Sequence, residues 1–317
     1  MRGLRQSCVD GSMGRNSELV WPSKAGAIAG WLREGIEQWR EVQAQHDGRG
    51  SPNSLDFHDR LTLDPQVRSG EIGQTALLIA GGATEMLRGV ASLYAGHLQF
   101  PITRFHLPVV RSLQEHAGRA LWLVAPGMEL GTETSGQLAD DAKITKSTAA
   151  FHERVRRLRQ IKEELLDDHL RAAGKYDDAD EQRKWIEAGA LSQKQRRQGR
   201  QRVGEEPMPT YTEFAELAER STQQLHLRDP ERTNAIYSRI SATGHGTLLG
   251  MLADSDQHGA LRPFISDDRD LEFVAARAGR WWITMIAVCS AYFAWEWEAA
   301  FANWDQLQRT LFDQPSN

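Results

Sequence analysis

The chain has 317 residues, 40% of them hydrophobic and 26% charged, with a net charge of −5. That balance suits a soluble globular protein with room for a sizeable core. The negative sign gives the molecule as a whole no electrostatic reason to seek nucleic acid or an anionic surface. The two cysteines, Cys8 and Cys289, lie far apart, one in a polar tail and one in an apolar run. This argues against a disulfide framework and for a reducing, cytoplasmic compartment.

Residues 1–20 carry arginines without an apolar stretch and read as a disordered tail rather than a secretory leader. Residues 24–46 are predicted as an amphipathic helix, with Ile28, Trp31, Leu32, Ile36 and Trp39 on one side. Residues 47–70, rich in Gly, Pro, Asn and Asp, read as a loop. An apolar helix follows over 71–99, its Ala80-Gly81-Gly82-Ala83 run forming a packing notch that weakens the helix.

Residues 104–125 are predicted as a helix with Pro108 in its first turn and Pro126-Gly127 as its stop. A polar loop leads to a long charged helix over 145–173. There Phe151, Val155, Leu158, Ile161, Leu165 and Leu166 keep the three- and four-residue spacing of a packing stripe. Residues 178–203 are polar, helical in pattern, and end in the basic run from Lys194 to Arg202. That run lacks interleaved aromatics and sits near many acidic residues, so it reads as a solvated face.

Thr210 and Glu213 form a capping box that opens a helix over 211–226. Asp229-Pro230-Glu231 opens another over 230–253, and a single long helix runs from about 266 to 312. The apolar run from Trp281 to Trp295 is fifteen residues, short of the roughly 20 that cross a bilayer, and reads as a buried core helix. The fold class is therefore all-α: an irregular multi-helix bundle, one domain over 21–317, with a protruding charged helical excursion at 127–209. The aromatic final helix and the 145–173 stripe point to a homo-oligomer, in its simplest form a homodimer.

Two polar clusters interrupt these apolar helices. The first holds Arg111, Glu115, His116 and Arg119; the second holds Tyr237, Arg239, Ser241 and His245. Positions four apart drift by only about 40° around a helix, so Arg111 and Glu115 share one stripe, as do Tyr237, Ser241 and His245. Ionisable groups on a core-facing stripe are costly unless paired or used. Glu115 is expected to be held by Arg111 or Arg119, with the second cluster meeting the first across a helix interface. No metal site and no cofactor are expected: the chain has no Cys-x-x-Cys, no paired Glu-x-x-His, no Gly-rich phosphate loop and no G-x-S-x-G.

The pattern R-x3-E-H-x2-R at Arg111, Glu115, His116 and Arg119, followed by Y-x3-S-x3-H-G at Tyr237, Ser241, His245 and Gly246, resembles a family of uncharacterised bacterial all-helical proteins. More remotely, Arg111-x4-His116 and Arg239-x5-His245 resemble the paired arginine and histidine of HEPN-type helical ribonucleases. That resemblance implies metal-independent RNA cleavage, with the arginines holding phosphate and the histidines assisting the 2′-hydroxyl. Ser112 and Ile240 stand where that family usually carries a polar Asn, Asp or His. Two functions follow as expectations: a non-enzymatic interaction module, in a stress or defence setting, or a ribonuclease built from both clusters with RNA as its partner.

Overall fold

The computed structural model describes residues 24–62, 64–65, 67–96, 106–129, 143–172, 208–226 and 268–312. Over these residues the protein is an all-α multi-helix bundle. Its helices are α1 (Lys24–His46), α2 (Leu55–Leu61), α3 (Glu71–Ala95), α4 (His106–Val124), α5 (Thr148–Ala172), α6 (Tyr211–His226), α7 (Asp268–Phe293) and α8 (Glu298–Phe312). A two-residue antiparallel pair, Met128–Glu129 with Lys143–Ile144, closes the connection from α4 to α5.

α4 is the central helix. It packs against α3, α5, α6 and α7, and none of its residues is exposed. α1 covers α3 and α7 and receives α8 on its flank. The core is aromatic: Trp31, Trp39, Trp281, Trp282, Tyr94, Tyr292 and Phe293 are all fully buried. Buried indoles need partners for their N–H groups. Trp282 donates to Thr84 Oγ1 at 3.0 Å, Trp31 to the Trp304 carbonyl at 3.2 Å and Trp295 to the Arg49 carbonyl at 2.7 Å. Trp31 also stacks on Trp304 with centroids 4.6 Å apart. The aromatic run of the last helices, read from the sequence as core or protomer interface, contributes Trp281, Trp282, Trp295, Trp297 and Trp304 to the core.

Local caps follow the sequence. Thr210 and Glu213 form the predicted box: the Glu213 N–H donates to Thr210 Oγ1 at 3.3 Å, and the Thr210 N–H to Glu213 Oε2 at 2.6 Å. The run beginning at Trp281 lies in the core, with residues 281–290 all buried. Among the described residues, α3 is the helix long and apolar enough to cross a membrane by length and composition.

The structure departs from the sequence reading at two places. The expected loop 47–70 contains α2. Ser54 caps it by accepting the Phe57 N–H at 2.9 Å, and Leu55 is fully buried, which secures so short a helix. The single final helix is broken into α7 and α8. Ala294 takes a left-handed φ of 51°, the Trp295 N–H reaches back to the Ser290 carbonyl and the Ala294 N–H to the Ala291 carbonyl. That is a Schellman ending, which turns the chain so that Trp295 enters the core. Within the expected excursion, the first turns of α5 carry the predicted packing stripe into the core. Phe151, Val155, Leu158 and Ile161 of α5 are buried in the common core. Residues 130–142 and 173–207 of that excursion lie outside the described residues.

Candidate functional site

The first polar cluster lies along α4. The buried stripe of that helix is Leu107, Val110, Leu113, Gln114, Ala117, Gly118 and Leu121, so Arg111, Ser112, Glu115, His116 and Arg119 fall at its half-buried edges. Gly118 brings α4 and α6 into backbone contact: a Cβ there would sit 1.8 Å from the Phe214 carbonyl oxygen. Gln114 crosses the same contact and donates to the Ala215 carbonyl at 3.1 Å. Two helices this close leave no room for a pocket between them.

The charged groups are engaged one by one. Arg111 Nε donates to Glu115 Oε1 at 2.7 Å, one turn along the helix, with both side chains under one-fifth exposed. Arg119 turns the other way. Its guanidinium pairs with Glu164 of α5 at 2.9 Å and lies over the rings of Tyr211 and Phe214 on α6, 5.4 and 5.3 Å from their centroids. The Tyr211 hydroxyl completes the triangle by donating to Glu164 Oε1 at 3.1 Å. Burial, and then the Glu164 carboxylate, raise the Tyr211 phenol above its ordinary value. Of the two partners expected for Glu115, Arg111 is the one that holds it, and Arg119 ties α4 to α5 and α6.

His116 is the chemically versatile member. Its Nδ1 faces the Ser112 carbonyl at 2.8 Å. A carbonyl only accepts, so Nδ1 carries the proton. Burial, with the Arg119 charge adding to it, lowers the histidine below its ordinary value against the opposing pull of the Ser112 bond. The ring is therefore neutral at pH 7 with a basic Nε2. That edge faces Gly82 of α3, where a Cβ would lie 3.3 Å from the ring Cδ2 and 3.6 Å from Nε2. A five-residue step turns about 140° around a helix, and Arg111 and His116 make separate contacts accordingly. Tyr237, Arg239, Ser241 and His245, the whole second cluster, lie outside the described residues.

Two buried ion sites were missed in the sequence. Arg154 of α5, fully buried, forms two bonds to Asp59 of α2, Nε to Oδ2 at 2.8 Å and Nη2 to Oδ1, and also donates to the Pro126 carbonyl. Tyr292 of α7 donates to the same Asp59 Oδ2 at 2.8 Å. Burial first, and then the Asp59 charge, raise the Tyr292 phenol well above its ordinary value. On the other side of α7, Arg277 and Trp281 both donate to Glu219 of α6, at 2.6 Å each. The signal was present: Arg154 sits three residues after Phe151 and four before Leu158, inside the apolar stripe, and Glu219 stands between the buried Ala215 and Thr222.

Among the described residues no group of His, Cys, Asp and Glu is arranged to hold a metal ion. A shallow cleft of about 240 Å³ lies beside the Asp59 site, lined by Thr62, Val67, Arg68, Gly70 and Phe151 among others. Most of that volume is open to solvent and its enclosed part, about 10 Å³, has room for a single water, so it is no ordinary ligand site; it is also remote in sequence from the α4 cluster. No family model, no curated protein and no solved structure matches the chain.

Proposed function

We propose that the chain is a non-enzymatic helical interaction module, whose α4 cluster holds the bundle in register. One observation carries this reading: the arginines of the cluster are each closed by a carboxylate of the same chain, Arg111 by Glu115 and Arg119 by Glu164. An arginine that clamps a phosphate must present its fork to the ligand. Here each guanidinium is engaged by a carboxylate of the chain, and that of Arg119 also lies over two aromatic rings. We place the protein in a reducing cytoplasm, in keeping with Cys289 as a free thiol inside the core.

The ribonuclease alternative has one observation in its favour, the neutral His116 with its basic Nε2. A paired experiment separates the two. Wild type, His116→Ala and Arg119→Met are incubated with single-stranded RNA of mixed sequence, and their thermal unfolding is recorded. The module reading expects no cleavage by any of the three. It also expects Arg119→Met to lose about 1–2 kcal/mol, a drop of a few degrees in midpoint. RNA cleavage by wild type that vanishes in His116→Ala at an unchanged midpoint would refute it.

A further inference from the structure

α8 packs chiefly on α1 and only lightly on α7, the helix it follows. Its seat is one side of α1 together with Trp282 of α7. Trp304 stacks on Trp31 with centroids 4.6 Å apart, Phe312 meets the edge of the same indole at 5.1 Å, and Phe301 and Trp304 lie 5.9 and 6.2 Å from Trp282. Gly35 leaves the space for the Trp304 indole. The tether between the two helices is short, residues 294–297, and turns on Ala294. A left-handed φ of 51° at alanine sets Cβ against the following carbonyl, a cost that glycine avoids. Nothing in the local sequence asks for a break, since no Gly or Pro stands between Trp281 and Phe312. Local preference is for one straight helix. The turn is held by Trp295, which packs on Trp39 and Phe293 and donates to the Arg49 carbonyl.

We propose that α8 is exchanged between two copies of this chain. Ala294 takes the right-handed helical conformation, α7 runs on into α8, and α8 of each copy occupies the seat formed by α1 and Trp282 of the other. The occupant is fixed by the seat, which already fits Phe301, Trp304 and Phe312. The contacts of the seat are made in both forms, so they do not decide between them. The hinge decides: straightening relieves the left-handed turn in each copy and draws Trp295 away from Trp39. It also takes α8 off its own seat, so an empty seat and a free α8 arise together, and a second copy satisfies both. Leaving the seat uncovers Trp31 and Trp304. Exchange therefore takes place while chains refold together, and the closed monomer prevails in dilute solution.

The test is refolding of the full chain from urea at about 1 to about 100 µM, followed by sedimentation velocity, with circular dichroism to confirm folding. A dimer fraction that rises with concentration is expected. Ala294 is exposed, so substitutions there act through the backbone. Ala294→Gly removes the penalty of the turn and should lower the dimer yield at least about fivefold. Ala294→Val, whose branched side chain tolerates a left-handed φ least, should raise it. Glu34 and Asn303 meet at 3.4 Å across the seat and report which chain fills it. In the triple variant Cys8→Ser, Glu34→Cys, Asn303→Cys, a short bismaleimide should join two chains in the dimer fraction and close one chain on itself in the monomer. A folded wild type that stays monomeric at the highest concentration overturns the proposal. So does a dimer cross-linked only within single chains, or a dimer yield that does not respond to Ala294→Gly.

Discussion

Removing Arg154 tests most directly what holds the bundle together. Arg154→Met keeps much of the apolar stem and deletes the guanidinium. Asp59 then keeps the Tyr292 hydroxyl at 2.8 Å, with His58 Nδ1 3.6 Å away, and the Pro126 carbonyl loses its donor. The side chains of Arg154 and Asp59 are 0% and 3% exposed, so water does not replace the lost bonds. An unpaired buried charge of this kind costs about 3–5 kcal/mol. Against a total stability of roughly 5–15 kcal/mol, that is a large fraction. Urea unfolding followed by tryptophan fluorescence reads the loss directly, since the chain carries ten tryptophans. Adding Asp59→Leu removes the stranded carboxylate and should return about 2 kcal/mol or more. A loss below about 1 kcal/mol in Arg154→Met, or strict additivity of the two substitutions, would refute the view that each charge is the other's principal partner.

Ala294→Gly should stabilise the protein by about 0.5–1 kcal/mol, read as a higher thermal midpoint. Ala294 holds a left-handed φ of 51° at the end of α7, where glycine has no Cβ to clash. Cys289 makes stability depend on alkaline pH. Burial pushes its thiol up to about 12, so the unfolded chain ionises it first as pH rises above about 9. Its contribution is complete below that pH and drains away towards 12 at up to about 1.4 kcal/mol per pH unit. Cys289→Ala should therefore flatten the stability profile between pH 9 and 11, measured by urea unfolding at each pH. An unchanged slope would show that the thiol does not stay protonated in the folded state.

The helices were legible where periodicity and capping agree. α1 was read from its own stripe of Ile28, Trp31, Leu32, Ile36 and Trp39, and α6 from Thr210 and Glu213. α2 was hidden because Gly, Pro and Asn around it set the composition of the whole segment, while its stability rests on the burial of Leu55 and Asp56 by distant parts of the chain. The break at Ala294 was hidden for a related reason. Alanine is the best helix former, and only the demand of Trp295 for the core outweighs that preference. Of the candidate site, the Arg111–Glu115 pair could be read from one-turn spacing. The partners of Arg119 and Arg154 could not, because they lie 45 and 95 residues away on other helices. Sequence spacing reports neighbours within a helix and is silent on which helices meet.

The stacking of Trp31 on Trp304 joins residues 273 positions apart. Gly35 shapes the same socket, since a Cβ there would lie 2.6 Å from the Trp304 indole nitrogen. While the chain is being made, that face of Trp31 stays uncovered until the 273 positions that separate it from Trp304 have been added. Contacts of such long separation are slow to close and leave apolar surface open in the meantime. The growing chain is thus most exposed to misassociation through its first described helix, and release comes when Trp304 arrives.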